Sequence, residues 1–297
     1  MKKKQLLHIF GEVLFDHFPD ATRVIGGAPF NVAWHLQALG QTPRFISRIG
    51  DDLSGREALA LAEAWGMNAE ALQIDQQHPT GSVTITFDQN EPQYEIVEHC
   101  AYDFIDAKAI KNSTTQGILY HGSLALRNNV SLTALQSLKK KHHGKIFMDV
   151  NLRSPWWQLE QLQMLFKDAT WVKMNIQELC MLMPEHKKDI KKTIQAFRAQ
   201  NNLDLLIVTL GAKGALVCDQ QQRFFATQPT EDTKVIDTVG AGDAFSAIML
   251  LGLTHQWPLQ ETLDRAQAFA SAMVGRRGAT VADTRFYRTF CKQWNLL

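Results

Sequence analysis

Four cysteines among 297 residues are too few and too scattered for a disulfide scaffold. Cys100, Cys180, Cys218 and Cys291 make no C-x-x-C pair, which also removes the common zinc spacings. The ten histidines contain no H-x-x-x-H helical pair, so a structural transition metal is not supported. An excess of charge of one sign is missing too. The formal net charge is +1, which recruits neither nucleic acid nor a membrane surface. No run of 18 apolar residues occurs, so a membrane span is not expected. The apolar stretch Leu6 to Phe10, after Lys2-Lys3-Lys4, is too short for a signal-peptide core and reads as a first strand. A reducing, cytoplasmic setting is the default expectation. Two familiar nucleotide loops are also absent. There is no G-x-x-x-x-G-K-[ST] and no strand-linked G-x-G-x-x-G.

What is present is an ordinary globular composition, 45% hydrophobic and 21% charged. Strand and helix patterns alternate along the chain. Val32, Leu36 and Leu39 space a helix that Gly40 ends, with Asn31 near its start as a cap or a ligand amide. Arg44 to Gly50 reads as a strand, and Asp51-Asp52 as turn and cap of a helix over Ser54 to Trp65. Strands follow at 117–122, 146–150, 170–175 and 205–210, with short ones at 223–225 and 234–236. Helices are expected over 132–138, from 176, over about 187–199 and over about 261–274. This rhythm predicts an α/β fold with a doubly wound, mainly parallel sheet. Residues 79–102 break it. Period-two alternation on either side of Asp88 to Pro92 reads as a polar β-hairpin, which does not suit a sheet covered on both faces. The expectation is one domain over 1–297, carrying a small β-lid from about 12–24 and 79–102. The lid's free edges make a homodimer through it a further expectation.

The stretch Asp237-Thr238-Val239-Gly240-Ala241-Gly242-Asp243 runs into the apolar helix Ala244 to Leu251. Glycines at a helix N-terminus let an anion approach unpaired N–H groups. A carboxylate beside that anion can take a proton, as phosphoryl transfer to a hydroxyl requires. In isolation the same residues read as an Asp cap after a glycine turn. Other polar residues sit at strand ends: Asp16, Gly27, Asn31, Asp149-x-Asn151-x-Arg153, Asn175-x-x-Glu178 and Thr209-x-Gly211. In a parallel sheet these ends share one edge, so the residues would converge there.

Together these motifs resemble the PfkB-type, ribokinase-like carbohydrate kinases, and among them fructokinases. Asp237 to Asp243 matches a D-T-x-G-A-G-D signature and Gly26 to Asn31 a G-G-A-P-x-N signature. Gly11 to Asp16, Ile49 to Asp52 and Asn175 to Glu178 follow in the expected order. The resemblance covers nearly the whole chain. It implies Asp243 as general base, with the N–H groups of Gly240, Ala241 and Gly242 holding the γ-phosphate. Asp16, Gly27, Asn31 and Arg153 would bind the sugar. Asn175 and Glu178 would organise Mg²⁺ and phosphate. Thr209, Gly211, Gly214 and Gly242 would line the ATP site, with Lys213 nearby. Asp237, Val239 and carbonyls around Arg276 and Gly278 would hold a monovalent cation such as K⁺.

Some readings stay open at this level. Arg153 meets substrate or forms a buried salt bridge with Asp149, and Arg127 is a second candidate for substrate contact. Two arginines in one pocket would favour an acid sugar such as 2-keto-3-deoxygluconate. Phe30 narrows the sugar pocket or packs into the core. Residues 99–103 could touch substrate from above. A nucleoside kinase and a non-catalytic sugar-binding regulator are the remaining alternatives. The regulator is disfavoured because Asp243 and its glycines are intact.

Overall fold

The computed structural model describes residues 6–88, 91–110, 116–186, 189–229 and 234–296. The first half of the chain contributes β1 (Leu7–Phe10), β2 (Leu14–His17), β3 (Arg23–Gly26), α1 (Ala28–Ala38), β4 (Arg44–Gly50) and α2 (Leu53–Ala64). After these come β5 (Leu72–Asp75), β6 (Gly81–Asp88), β7 (Glu91–Ile96), β8 (Ile118–His121), α3 (Asn129–Lys140) and β9 (Lys145–Asp149). The second half adds α4 (Leu159–Asp168), β10 (Trp171–Asn175), α5 (Ile176–Leu182), α6 (Ile190–Gln200) and β11 (Leu205–Thr209). It closes with β12 (Ala215–Asp219), β13 (Phe224–Thr227), α7 (Ala241–His255), α8 (Leu259–Val274) and α9 (Thr284–Gln293).

Among the described residues, one sheet runs β13-β12-β11-β10-β9-β8-β1-β4-β5. Its strands are parallel from β11 through β5, while β12 and β13 are antiparallel. The alternation of side chains along each strand divides the core into two layers. Ile9, Tyr120, Phe147 and Ile207 pack with α1, α2, α7, α8 and α9. Phe10, Leu119, Met148 and Val208 pack with α3, α4, α5 and α6. This is the doubly wound, mainly parallel α/β architecture expected from the strand–helix rhythm.

A second sheet runs β3-β2-β6-β7. It has β2 and β6 parallel and the other pairs antiparallel. It rests on a small apolar cluster of Leu14, Val83, Ile85, Cys100, Tyr102, Leu124 and Ala125. The tip of the expected hairpin, Gln89-Asn90, lies outside the described residues, as does Lys187 at the expected start of a helix. That helix, α6, begins at Ile190, where Asp189 caps Lys192. No helix among the described residues is long and apolar enough to cross a membrane.

Four elements escaped the sequence reading: β5, β12, α4 and α9. One expected strand is corrected. Residues 234–236 form no strand, because the N–H groups of Ile236 and Asp237 both donate to Val274 O at the end of α8. Val235 and Ile236 are therefore exposed in a loop.

Candidate active site

The parallel strands end at one edge, and two cavities open there. The first, about 380 Å³, is lined by Glu12, Asp16, Gly27, Asn31, Arg153, Lys173, Asn175, Glu178, Thr209, Gly240, Gly242 and Asp243, with Val83, Tyr94 and Ile96 from the second sheet. The second, about 590 Å³, is lined by Thr209, Gly211, Gly214, Ala241, Gly242, Phe245, Gln267 and Ser271. Thr209, Thr238 and Gly242 belong to both walls, so the cavities meet at the start of α7.

That start is built for an anion. Among the described residues no side chain caps α7, and its N-cap Gly240 is left-handed at φ 75°. A Cβ there would meet Ala279 Cα at 2.4 Å, so any larger residue would push the loop off residue 279. A helix of 15 residues with no side-chain cap presents its positive dipole end to the junction, although Ala241 N–H already donates to Thr238 O at 3.3 Å. Asp243 stands in its first turn.

Asn31 is not the cap of α1. The N-cap is Gly27, at φ 103°, where a Cβ would sit 2.7 Å from Glu12 O. Asn31 lies inside the helix, and its Nδ2 donates to Asp243 Oδ2 at 2.8 Å. Two motifs 212 residues apart are thus joined by one hydrogen bond. Phe30 turns away into the core, 5.8 Å from Trp34 and 5.7 Å from Phe45 between ring centroids. It does not narrow the cavity.

Burial raises four carboxyl groups here, Asp243, Asp16, Glu12 and Glu178. Desolvation pushes Asp243 up to about 6, with the Asp149 charge adding to it and Asn31, Lys173 and Arg153 opposing. Desolvation pushes Asp16 up to about 6 and Glu12 up to about 7, and Arg153 counters both. Glu12 Oε2 and Asn31 Oδ1 are buried without a partner among the described residues. Such atoms suit a ligand that brings hydroxyl donors.

Arg153 is exposed and forms no salt bridge with Asp149. Asp149 pairs instead with Lys173, whose Nζ lies 3.0 and 2.9 Å from its two oxygens. Arg127 lines neither cavity. It forks onto Asp103 at 2.7 and 2.8 Å, donates to Val97 O at 2.6 Å and stacks on Tyr102 and Trp156. Cys100, Ala101, Tyr102 and Asp103 are buried beneath the second sheet and line neither cavity.

Glu178 and Asn175 form a reciprocal capping box on α5. Glu178 Oε1 accepts from Leu152 N, and Oε2 from Asn175 N, each at 2.7 Å. Asp237 accepts from Val239 N at 3.0 Å and Gly278 N at 2.9 Å, tying the loop before α7 to the loop after α8. Lys173 and Glu12 are the site residues that sequence reasoning passed over. Lys173 looked like part of a buried strand, and its partner lies on the neighbouring one.

Residues 5–285 match the pfkB family of carbohydrate kinases. The chain belongs to that family. This pfkB kinase is 29% identical to the fructokinase of Escherichia coli, over 92% of this chain and 94% of that one. It is 26% identical to fructokinase-2 of Oryza sativa subsp. japonica, over 92% and 89%. Among solved structures, it resembles a double mutant of the Vibrio cholerae O395 fructokinase bound to fructose, ADP and potassium ion. There the TM-score is 0.82 at 26% identity, covering 96% and 98% of the two chains. The ATP-bound fructokinase of Xylella fastidiosa superposes with TM-score 0.85 at 21% identity, covering 98% and 99%, which shows the shared fold. This pfkB kinase is a sugar kinase, a phosphotransferase acting on a carbohydrate hydroxyl.

Proposed function

We propose that the chain is an ATP-dependent fructokinase. The observation that carries this is the Asn31–Asp243 hydrogen bond at the meeting point of two cavities. A sugar in the first cavity would offer its hydroxyls to Asp16, Asn31 and Asp243, over the backbone of Gly27. ATP in the second would lie along Thr209, Gly211 and Gly214, with its γ-phosphate at the N–H groups of Gly240, Ala241 and Gly242. Asp243 takes the hydroxyl proton as the sugar oxygen attacks phosphorus. The second sheet closes over the sugar and excludes water.

The donor set fits Mg²⁺ delivered with the nucleotide. No group of three or more His, Cys, Asp or Glu side chains forms a metal site among the described residues. Magnesium takes oxygen ligands and keeps several waters, and Glu178 and Asn175 place side-chain oxygens in the cavity wall. Glu178 and Asn175 would hold it from the chain side, and it would neutralise phosphate charge. A K⁺ ion would fit among carbonyls near Val239, Arg276 and Gly278, where Asp237 fixes both loops.

A second reading rests on Arg153, an exposed cation at the sugar cavity with no ion-pair partner among the described residues. It would suit the carboxylate of 2-keto-3-deoxygluconate. Comparing kcat/KM for fructose, 2-keto-3-deoxygluconate and nucleosides decides between them. The fructokinase reading expects fructose to lead. A lead for the acid sugar replaces it with the second reading. Sugar binding without ADP release from any substrate favours the regulator.

The general-base assignment has a pH signature. Asp243 must be ionised to accept a proton, and its carboxyl is raised to about 6. Below that value kcat/KM is expected to fall about tenfold per pH unit, with a plateau above about pH 7. A profile flat down to about pH 5 contradicts the assignment.

A further inference from the structure

We propose that Lys173 is a catalytic residue, its ammonium contacting the phosphoryl group as it crosses from nucleotide to sugar, with Asp149 as its fixed counter-ion. This rests on the kinase reading of the same site. Lys173 is the middle residue of β10, in the wall of the sugar cavity. A Cβ extending from Gly242 would lie 3.3 Å from its Nζ. Gly242 belongs to both cavity walls, so Nζ reaches the junction that the phosphoryl group must pass.

Charge singles out the same residue. Among the described residues, Arg153 and Lys173 are the cations in the sugar-cavity wall, and the wall of the nucleotide cavity has none. Arg153 is exposed, whereas Lys173 is buried. A phosphoryl group in transfer spreads charge over three equatorial oxygens, and fixed cations in a dry site stabilise it most.

Lys173 is also held in place. Both Asp149 oxygens accept from Nζ. Asp149 Oδ2 further accepts from Ser246 Oγ at 2.7 Å and Tyr120 OH at 3.3 Å. Ser246 is on α7, one turn beyond Asp243, so cation and base share one support. Burial works against the charge, but the Asp149 carboxylate outweighs it and keeps the ammonium above its ordinary value. An ammonium has three donors. Asp149 occupies two, leaving one for a phosphoryl oxygen.

The step balances. The bond from phosphorus to the ADP oxygen breaks, and its electron pair stays on ADP. The sugar oxygen bonds to phosphorus, and its proton passes to Asp243. Lys173 neither gains nor loses a proton.

The test uses Lys173→Met and the double variant Lys173→Met/Asp149→Asn beside the wild type. Steady-state kinetics, thermal midpoints and affinities for ADP with and without aluminium fluoride are measured. Lys173→Met is expected to lower kcat about 10²–10³-fold, with sugar KM within about threefold. Affinity for ADP–aluminium fluoride with sugar falls at least about tenfold, while that for ADP alone stays within about threefold. The double variant recovers the thermal midpoint but not turnover. If turnover returns with the midpoint, or if Lys173→Met keeps wild-type kcat, the proposal is overturned. A wild-type chain that phosphorylates no sugar overturns the kinase reading itself, and Lys173's role with it.

Discussion

Changing Asp243 to Asn is expected to lower turnover about 10²–10⁴-fold, the range for losing a general base. Asn keeps the shape and leaves the α7 N-terminus and both cavities in place. It cannot take a proton from the sugar hydroxyl. Sugar KM should therefore change much less than kcat, since the loss falls on the transition state. Stability should move the other way. A carboxyl raised from 3.8 to about 6 by burial binds its proton more tightly in the folded chain. Its ionisation therefore costs stability as pH rises from about 4 through about 6. The neutral amide of Asp243→Asn has no such cost, so the variant's thermal midpoint should match or exceed wild type at about pH 8. Near-normal turnover in Asp243→Asn, measured by ADP release with fructose, removes the base assignment.

The second large effect is on folding. Arg127→Ala is expected to destabilise the chain by about 3–5 kcal/mol, because it strands a buried carboxylate. Asp103 is 1% exposed, and Arg127 forks onto both its oxygens. The same guanidinium reaches Val97 O beside β7 and lies over Tyr102 and Trp156. It thus fastens the base of the second sheet to the turn after β8. Urea denaturation measures the loss, which Arg127→Ala/Asp103→Asn should partly recover. A loss under about 1 kcal/mol with a raised sugar KM would return Arg127 to substrate binding.

What the sequence disclosed, and what it hid, follows a physical division. Signals carried by neighbouring residues were legible. Glycines before an apolar helix marked the α7 start, and period-two alternation marked β6 and β7. The βα rhythm gave the parallel sheet, and the sheet gave the shared edge where Asp149, Asn175 and Thr209 end their strands. Asp16 comes instead from β2 of the second sheet and Asn31 from inside α1, rather than from strand ends. Signals that depend on distant partners were not legible. Lys173 lies in a strand pattern, and only its pairing across β9 and β10 explains a buried ammonium. Arg127 was placed near substrate because it follows a strand end. Its carboxylate partner lies 24 residues earlier, in a turn with no charge pattern of its own. The Lys234 to Ile236 segment has strand propensity, but Val274 O takes the N–H groups of Ile236 and Asp237, a tertiary preference no local pattern contains.

The central claim is direct transfer with Asp243 as base, and the stereochemistry at phosphorus tests it most directly. ATP made chiral at the γ-phosphorus with oxygen isotopes is reacted with fructose, and the configuration of the sugar phosphate is determined. A single in-line displacement predicts inversion. Retention would mean two displacements through a phosphorylated side chain, and would contradict the account.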